Sequence, residues 1–310
     1  MACVATMIAI HPVACPDPLA RAPRAAPAAP PTDWLRLAPA SLHGALVAVV
    51  GRDTRGLELD DAQRLSHFPS SPLISLSWYR DVDAGQVKGD GAWEPFGADC
   101  VVSGTMAHPT TTWSPTTGHG CMALFHADAA RALFGLDLVR IQDRFVPAFA
   151  AMGREWTPLW EALRAGADAD LVAVLERHLA RRWQALRGRD TDQPSLRQLG
   201  RHWVERLAWQ AHEWRREHSP RHVERRIKSF SGRSLREWQA IVRTEGLFFS
   251  ARDCHETGRP IDWAALALDE GFADQAHMTR TVRRITGFTP ADFARRFAED
   301  ESFWMYRLWV

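Results

Sequence analysis

Beyond Ser195 the chain runs through one helical pattern twice, and this repeat restricts the fold more than any other feature. SPRHVERRIKSFSGRSLREW begins at Ser219, and ADQAHMTRTVRRITGFTPADF begins at Ala273, an offset of about 54 residues. Each copy reads as a helix, a tight turn, a short arginine-bearing helix and a Gly-x-[ST] stop. No strand signal interrupts either copy. The layout predicts an all-α region built from two comparable subdomains.

Placing the second copy on a helical wheel of about 100° per residue separates two faces. Met278, Val282 and Ile285 fall on one side and can pack inward. Gln275, Ala276, Thr279, Arg280 and Arg283 fall on the other. That outer face holds an amide, a hydroxyl and two guanidiniums, the groups that read base edges and grip phosphates. Ala276 either touches a thymine methyl or touches nothing. The preceding DWAALALDEG is apolar enough to brace the helix, and Gly271 permits a sharp turn between them, which is the spacing of a helix-turn-helix. In the first copy Val223, Ile227 and Phe230 form the inner stripe, while Arg221, Arg225 and Lys228 project together. Ser219-Pro220 supplies a capping hydroxyl and a proline for the first helical position. Glu224 either accepts from cytosine or holds Arg225 or Lys228 in place. The whole chain carries a formal charge of only +1, yet Arg221–Arg243 has seven basic residues against two acidic ones. Such a stripe is either a solvated helix face or the footprint of a docked polyanion.

Ala264–Phe297, AALALDEGFADQAHMTRTVRRITGFTPADFARRF, resembles the C-terminal signature of the AraC/XylS family of bacterial transcription regulators. Gly271, Phe272, Asp274, Gln275, Arg280, Gly287, Thr289 and Pro290 match its G-[FY]-x-[DS]-Q opening and G-[FV]-[TS]-P closure. Ser219, Arg225, Lys228 and Gly232 resemble the family's first motif, and the resemblance spans about Leu207–Phe297. It implies two helix-turn-helix subdomains joined by a linker helix, here Leu235–Phe249, whose readers enter successive major-groove segments. Glu217 replaces the family's turn glycine and predicts a first turn that is either remodelled or less rigid. The connection SARDCHETGRPID is longer than the family pattern.

The remaining chain predicts an α+β protein. Residues 1–32, ending in RAPRAAPAAPPT, have the Ala/Pro composition of a disordered segment. Residues 33–188 form a mixed domain with a small β-sheet or barrel plus helices, for sensing or dimerisation. Its strands are LHGALVAVV, PLISLSWY, CVVSG and CMALF, separated by the turn-rich DAGQVKGDGAWEPFGAD and HPTTTWSPTTGHG. DAARALFG and ADLVAVLERHLARRWQAL read as helices, GRDTDQP as the linker, and 195–310 as the DNA-binding domain. GRDTRG at Gly51–Gly56 is either an anion site or a salt-bridged turn. His108, His119, Cys121 and His126 suit a soft metal by type, but their spacing matches no familiar ligand set, and no metal site is assigned. Trp78, Trp93 and Trp113 either line an apolar pocket or are core, with core the favoured reading, and ESFWMYRLWV either packs back onto the helical domain, the default, or meets a partner subunit.

Five cysteines without a C-x-x-C pair argue for a reducing compartment, and no apolar run reaches the ~20 residues of a membrane span, so a cytoplasmic protein is expected. The expected function is a sequence-specific DNA-binding transcriptional regulator, with no catalytic residues and no cofactor. Expected partners are double-stranded DNA and RNA polymerase. An unidentified small-molecule effector, a homodimer, and the choice between activation and repression stay open. The alternative is an alkyl-transfer DNA-repair enzyme carrying the same module, which would need an activated cysteine.

Overall fold

The computed structural model describes residues 14–25, 32–187, 196–231, 233–257 and 259–309. Ten strands come first: β1 (Asp33–Leu37), β2 (Leu46–Asp53), β3 (Leu65–Phe68), β4 (Leu73–Arg80), β5 (Gly85–Val87), β6 (Trp93–Pro95), β7 (Cys100–Ser103), β8 (Thr110–Trp113), β9 (His119–His126) and, after two helices, β10 (Phe145–Pro147). All pairings are antiparallel. They form a six-stranded sheet, β1-β2-β9-β4-β7-β10, and a four-stranded sheet, β3-β8-β5-β6. The helices are α1 (Ala127–Phe134), α2 (Leu138–Ile141), α3 (Ala148–Ala151), α4 (Thr157–Ala165), α5 (Leu171–Arg187), α6 (Leu196–Trp214), α7 (Pro220–Ser231), α8 (Leu235–Glu256), α9 (Trp263–Asp269), α10 (Gln275–Thr286), α11 (Pro290–Glu299) and α12 (Trp304–Trp309). The protein is therefore mixed α+β, with antiparallel sheets in its N-terminal part and helices in its C-terminal part.

The long strands follow their period-two pattern. On β4, Ile74, Leu76 and Trp78 face the main core, while Ser75 and Ser77 face the other way. β9 divides alike: Cys121, Ala123 and Phe125 join the main core, and Met122 and Leu124 the opposite side. β2 is apolar on both faces because both are covered. Its register shifts between Leu46 and Ala48, which turns Val47 and Ala48 to the second core together with Val50. The main core passes from the sheet through α1, α4 and α5 into Val204, Leu207 and Ala211 of α6, Val223 and Ile227 of α7, and Trp238 and Ile241 of α8. A separate cluster gathers Phe248 of α8 with Phe272, Met278, Val282, Phe288 and Phe293. α8 thus serves both helical clusters.

Several expectations from the sequence need correction. The two stretches read as separators contain β5, β6 and β8, and β10 carried no signal strong enough to be assigned. The helix expected over Leu235–Phe249 runs to Glu256, so much of the supposedly long connection SARDCHETGRPID is helix. Residues 14–25 of the segment expected to be disordered lie against the end of α11, where Arg21 pairs with Glu299 at 2.6 Å and Asp300 at 3.0 Å. The chain end does pack back, but onto β1 and β3 as well as onto helices. GRDTRG is salt-bridged: Arg55 pairs with Asp53 at 2.7 Å, and Arg52 with Glu301 at 2.5 Å. Trp78 and Trp113 are core residues, with Trp93 set edge-on against Trp113. The linker GRDTDQP, residues 1–13 and Gly232 lie outside the described residues.

Candidate nucleic-acid interface and effector cavity

α10 is defined at both ends by side-chain and backbone chemistry. The Asp274 carboxylate accepts from the His277 amide at 2.6 Å, and Gly287 ends the helix in the left-handed conformation at φ 87°. Thr289 then caps α11 by accepting from the Asp292 amide, with Pro290 at the first helical position. Before α10, Gly271 turns the chain at φ 76°. Met278, Val282 and Ile285 are buried. Gln275, Ala276, Arg280 and Arg283 are exposed and Thr279 is half-buried. The inward and outward faces therefore divide as their spacing predicts.

α7 is built alike. Val223 and Ile227 are buried, whereas Arg221, Glu224, Arg225 and Lys228 are exposed. Glu224 pairs with Lys228 at 3.1 Å, and the Arg225 guanidinium lies 3.2 Å from His222 Nδ1. Arg226 stacks on Trp214 at 4.2 Å, bracing α7 against α6. The Arg221, Arg280 and Arg283 guanidiniums have no ion pair or hydrogen bond among the described residues. The turn before α7 contains Glu217 where the resemblance expects glycine. His218 and Glu217 donate their amides to the Trp214 carbonyl at 2.9 and 3.3 Å, so the chain leaves α6 by tightened helical bonds and Glu217 avoids left-handed φ.

Both helix pairs touch the β-rich part. The Ser70 amide donates to the Ile285 carbonyl at 2.8 Å, and His67 meets Phe288 edge-on at 5.2 Å. Arg233, just after α7, reaches Asp143 at 3.5 Å. Between the sheets lies a cavity of ≈ 110 Å³, of the order that holds a single aromatic ring. Its apolar wall includes Leu73, Met122 and Leu124. Its polar wall comes from Ser75, Ser77 and Ser103, with Ser75 and Ser103 hydroxyls 2.6 Å apart. Glu245 of α8 and Met305 and Tyr306 of α12 close it. The Tyr306 hydroxyl is buried without a partner among the described residues. No lysine or arginine among the described residues lines the cavity.

Similar folds occur among solved structures of ToxT from Vibrio cholerae. The ToxT structure from strain O395 has a TM-score of 0.35 at 10% identity, covering 84% of this chain and 96% of that chain. A 1.65 Å structure of ToxT has a TM-score of 0.38 at 11% identity, covering 84% and 97%. An unsaturated fatty acid-bound ToxT from strain SCE256 has a TM-score of 0.35 at 10% identity, covering 74% and 93%. No protein-family model and no curated protein sequence matches the chain.

Sequence reasoning did not find the cavity. ISLSWY alternates serine with large apolar residues, but nothing local says that a second sheet faces the serines. Glu245 and Tyr306 join only through long-range packing. Neither Cys15 nor Cys100 is an activated thiol: burial pushes both up to about 11, and it raises Cys121 further. No described helix is long and apolar enough to cross a membrane.

Proposed function

We propose that the chain is a sequence-specific DNA-binding transcriptional regulator whose two helix-turn-helix units, α6–α7 and α9–α10, enter neighbouring major-groove segments. The observation that carries this reading is the outward face of α10. Gln275, Thr279, Arg280 and Arg283 stand on a helix locked from behind by Met278, Val282 and Ile285, and its two guanidiniums are left unspent by the protein. An exposed, unpaired arginine row on a rigid helix is suited to bases and phosphates. Arg221, Arg225 and Lys228 extend the same chemistry along α7, and the Glu224–Lys228 pair favours a holding role for Glu224 over base reading.

The N-terminal part is the effector-responsive module in this reading. Its cavity is closed by side chains of the linker helix and the last helix, so an occupant contacts both parts of the molecule. A mainly apolar wall with serine hydroxyls suits a small, largely apolar, uncharged ligand. RNA polymerase and a second copy of the chain are the expected protein partners.

Binding of the full chain to genome-selected DNA, followed by fluorescence anisotropy across salt concentrations, tests the proposal. Arg280→Ala should cost about 1–3 kcal/mol and relax preference at one base position. Arg283→Ala, if it grips phosphate, should weaken all sequences equally and lower the salt slope by about 1. Unchanged affinity and preference in both variants would remove α10 from the interface.

A further inference from the structure

His119 and Cys121 alternate on β9 and so point to one side of the sheet, at the end of the strand remote from His126. Asp168, in the short 3-10 turn Asp168–Asp170 between α4 and α5, reaches them from the helical layer. Their donor atoms all lie within 4.8 Å of one another. His119 Nε2 is 3.7 Å from Cys121 Sγ and 2.8 Å from Asp168 Oδ1. Both neighbours therefore face the same ring nitrogen, and Nδ1 is buried without a partner among the described residues. A thiol–imidazole–carboxylate relay needs its outer members on opposite nitrogens. This trio cannot form one, whereas a metal ion requires donor atoms converging on a single point.

We propose that His119 Nε2, Cys121 Sγ and an Asp168 carboxylate oxygen form a binding site for a zinc-class divalent cation, with a fourth position open to water. Imidazole, thiolate and carboxylate together suit a borderline-soft ion, and the Arg80 guanidinium, 3.4 Å from Asp168 Oδ1, must give up that oxygen as the ion takes it. Tetrahedral zinc, with bonds of about 2.3 Å to sulfur and 2.0 Å to nitrogen, needs an N···S separation of roughly 3.5 Å. The protein presents 3.7 Å. The N···O separation must open from 2.8 Å by roughly half an ångström, and the carboxylate oxygen, within 4.8 Å of the sulfur, must settle roughly 3.5 Å from it. Asp168 can make this movement because its side chain is 30% exposed, which also provides the entry path.

The supporting groups are already in place. The Trp34 indole N–H donates to Asp168 Oδ2 at 2.8 Å, orienting the carboxylate. Trp34 can lie there because position 51 is glycine: a Cβ would fall 2.2 Å from the indole ring. Binding releases the Cys121 thiol proton to solvent. The ring proton of His119 then sits on Nδ1, leaving Nε2 free for the ion. A bound ion would tie the α4–α5 turn to β9, clamping the helical layer onto the sheet.

Titration of chelator-stripped, full-length protein with Co²⁺ alone, followed by displacement with Zn²⁺, tests the site. One equivalent of Co²⁺ should produce a thiolate-to-cobalt charge-transfer band that Zn²⁺ abolishes. Cys121→Ser should remove the band, and Cys254→Ser should keep it. Asp168→Asn, at a half-exposed position that tolerates the change, should weaken Co²⁺ by at least about tenfold, and Trp34→Phe should weaken it by about tenfold. Absence of the band, its survival in Cys121→Ser, or unchanged affinity in Asp168→Asn would each overturn the proposal. If Cys121→Ser fails to fold, the Asp168→Asn affinity decides.

Discussion

At position 67 an imidazole occupies the seam between β3 and the C-terminal helices, packed against Phe288 and Phe303 with Nδ1 3.1 Å from the Thr111 hydroxyl. Burial, with Arg296 nearby, lowers its pKa from 6.5 to about 3. The group is thus neutral when folded but binds a proton when unfolded below pH 6.5, so stability present above that value is lost as pH falls toward 3. Between pH 7 and 5 the wild type should lose about 2 kcal/mol more than His67→Gln in urea unfolding. A second residue-scale test concerns Arg52, whose buried guanidinium meets Glu301 at 2.5 Å and Asp33 at 3.4 Å. Glu301→Ala leaves that charge under-compensated and should cost about 3–5 kcal/mol in the same measurement. Composition could not foretell this pair, because its partners are 249 residues apart.

At the scale of elements, α10 and α11 were the most legible parts of the chain. Asp274, Gly287, Thr289 and Pro290 each act within a few residues, so their roles survive any tertiary arrangement. Gly271 is equally local. Its φ of 76° disfavours a Cβ, so Gly271→Ala should cost about 1–2 kcal/mol by chemical denaturation, and it should weaken DNA affinity by shifting α10 against α9. β5, β6, β8 and β10 lie at the other extreme. Sequences such as GQV, WEP and TTTW are too short to show a period, and their strand character comes from the neighbours that pair with them. The first turn is intermediate: the missing glycine pointed to the place, and the Trp214 carbonyl supplied the form.

The whole molecule joins its two parts through shared cores. The main core continues from the sheet into α6, α7 and α8, and the last helix covers β2 and β9 from the far side. Calorimetry of the full chain should accordingly give one cooperative transition; two well-separated transitions would mean that the parts are energetically independent. Phenylalanine at position 306 should preserve this transition but reduce any thermal shift caused by a ligand that uses the Tyr306 hydroxyl. By itself, the sequence determined the helical repeat, the division of its inward and outward faces, and the caps that end its helices. Those features depend on periodicity and on hydrogen bonds spanning a single turn. Only the tertiary structure decided the two-sheet arrangement, the cavity behind the β4 serines, and the meeting of His119 and Cys121 with Asp168. Each of these brings together residues distant along the chain, through contacts that no local pattern encodes.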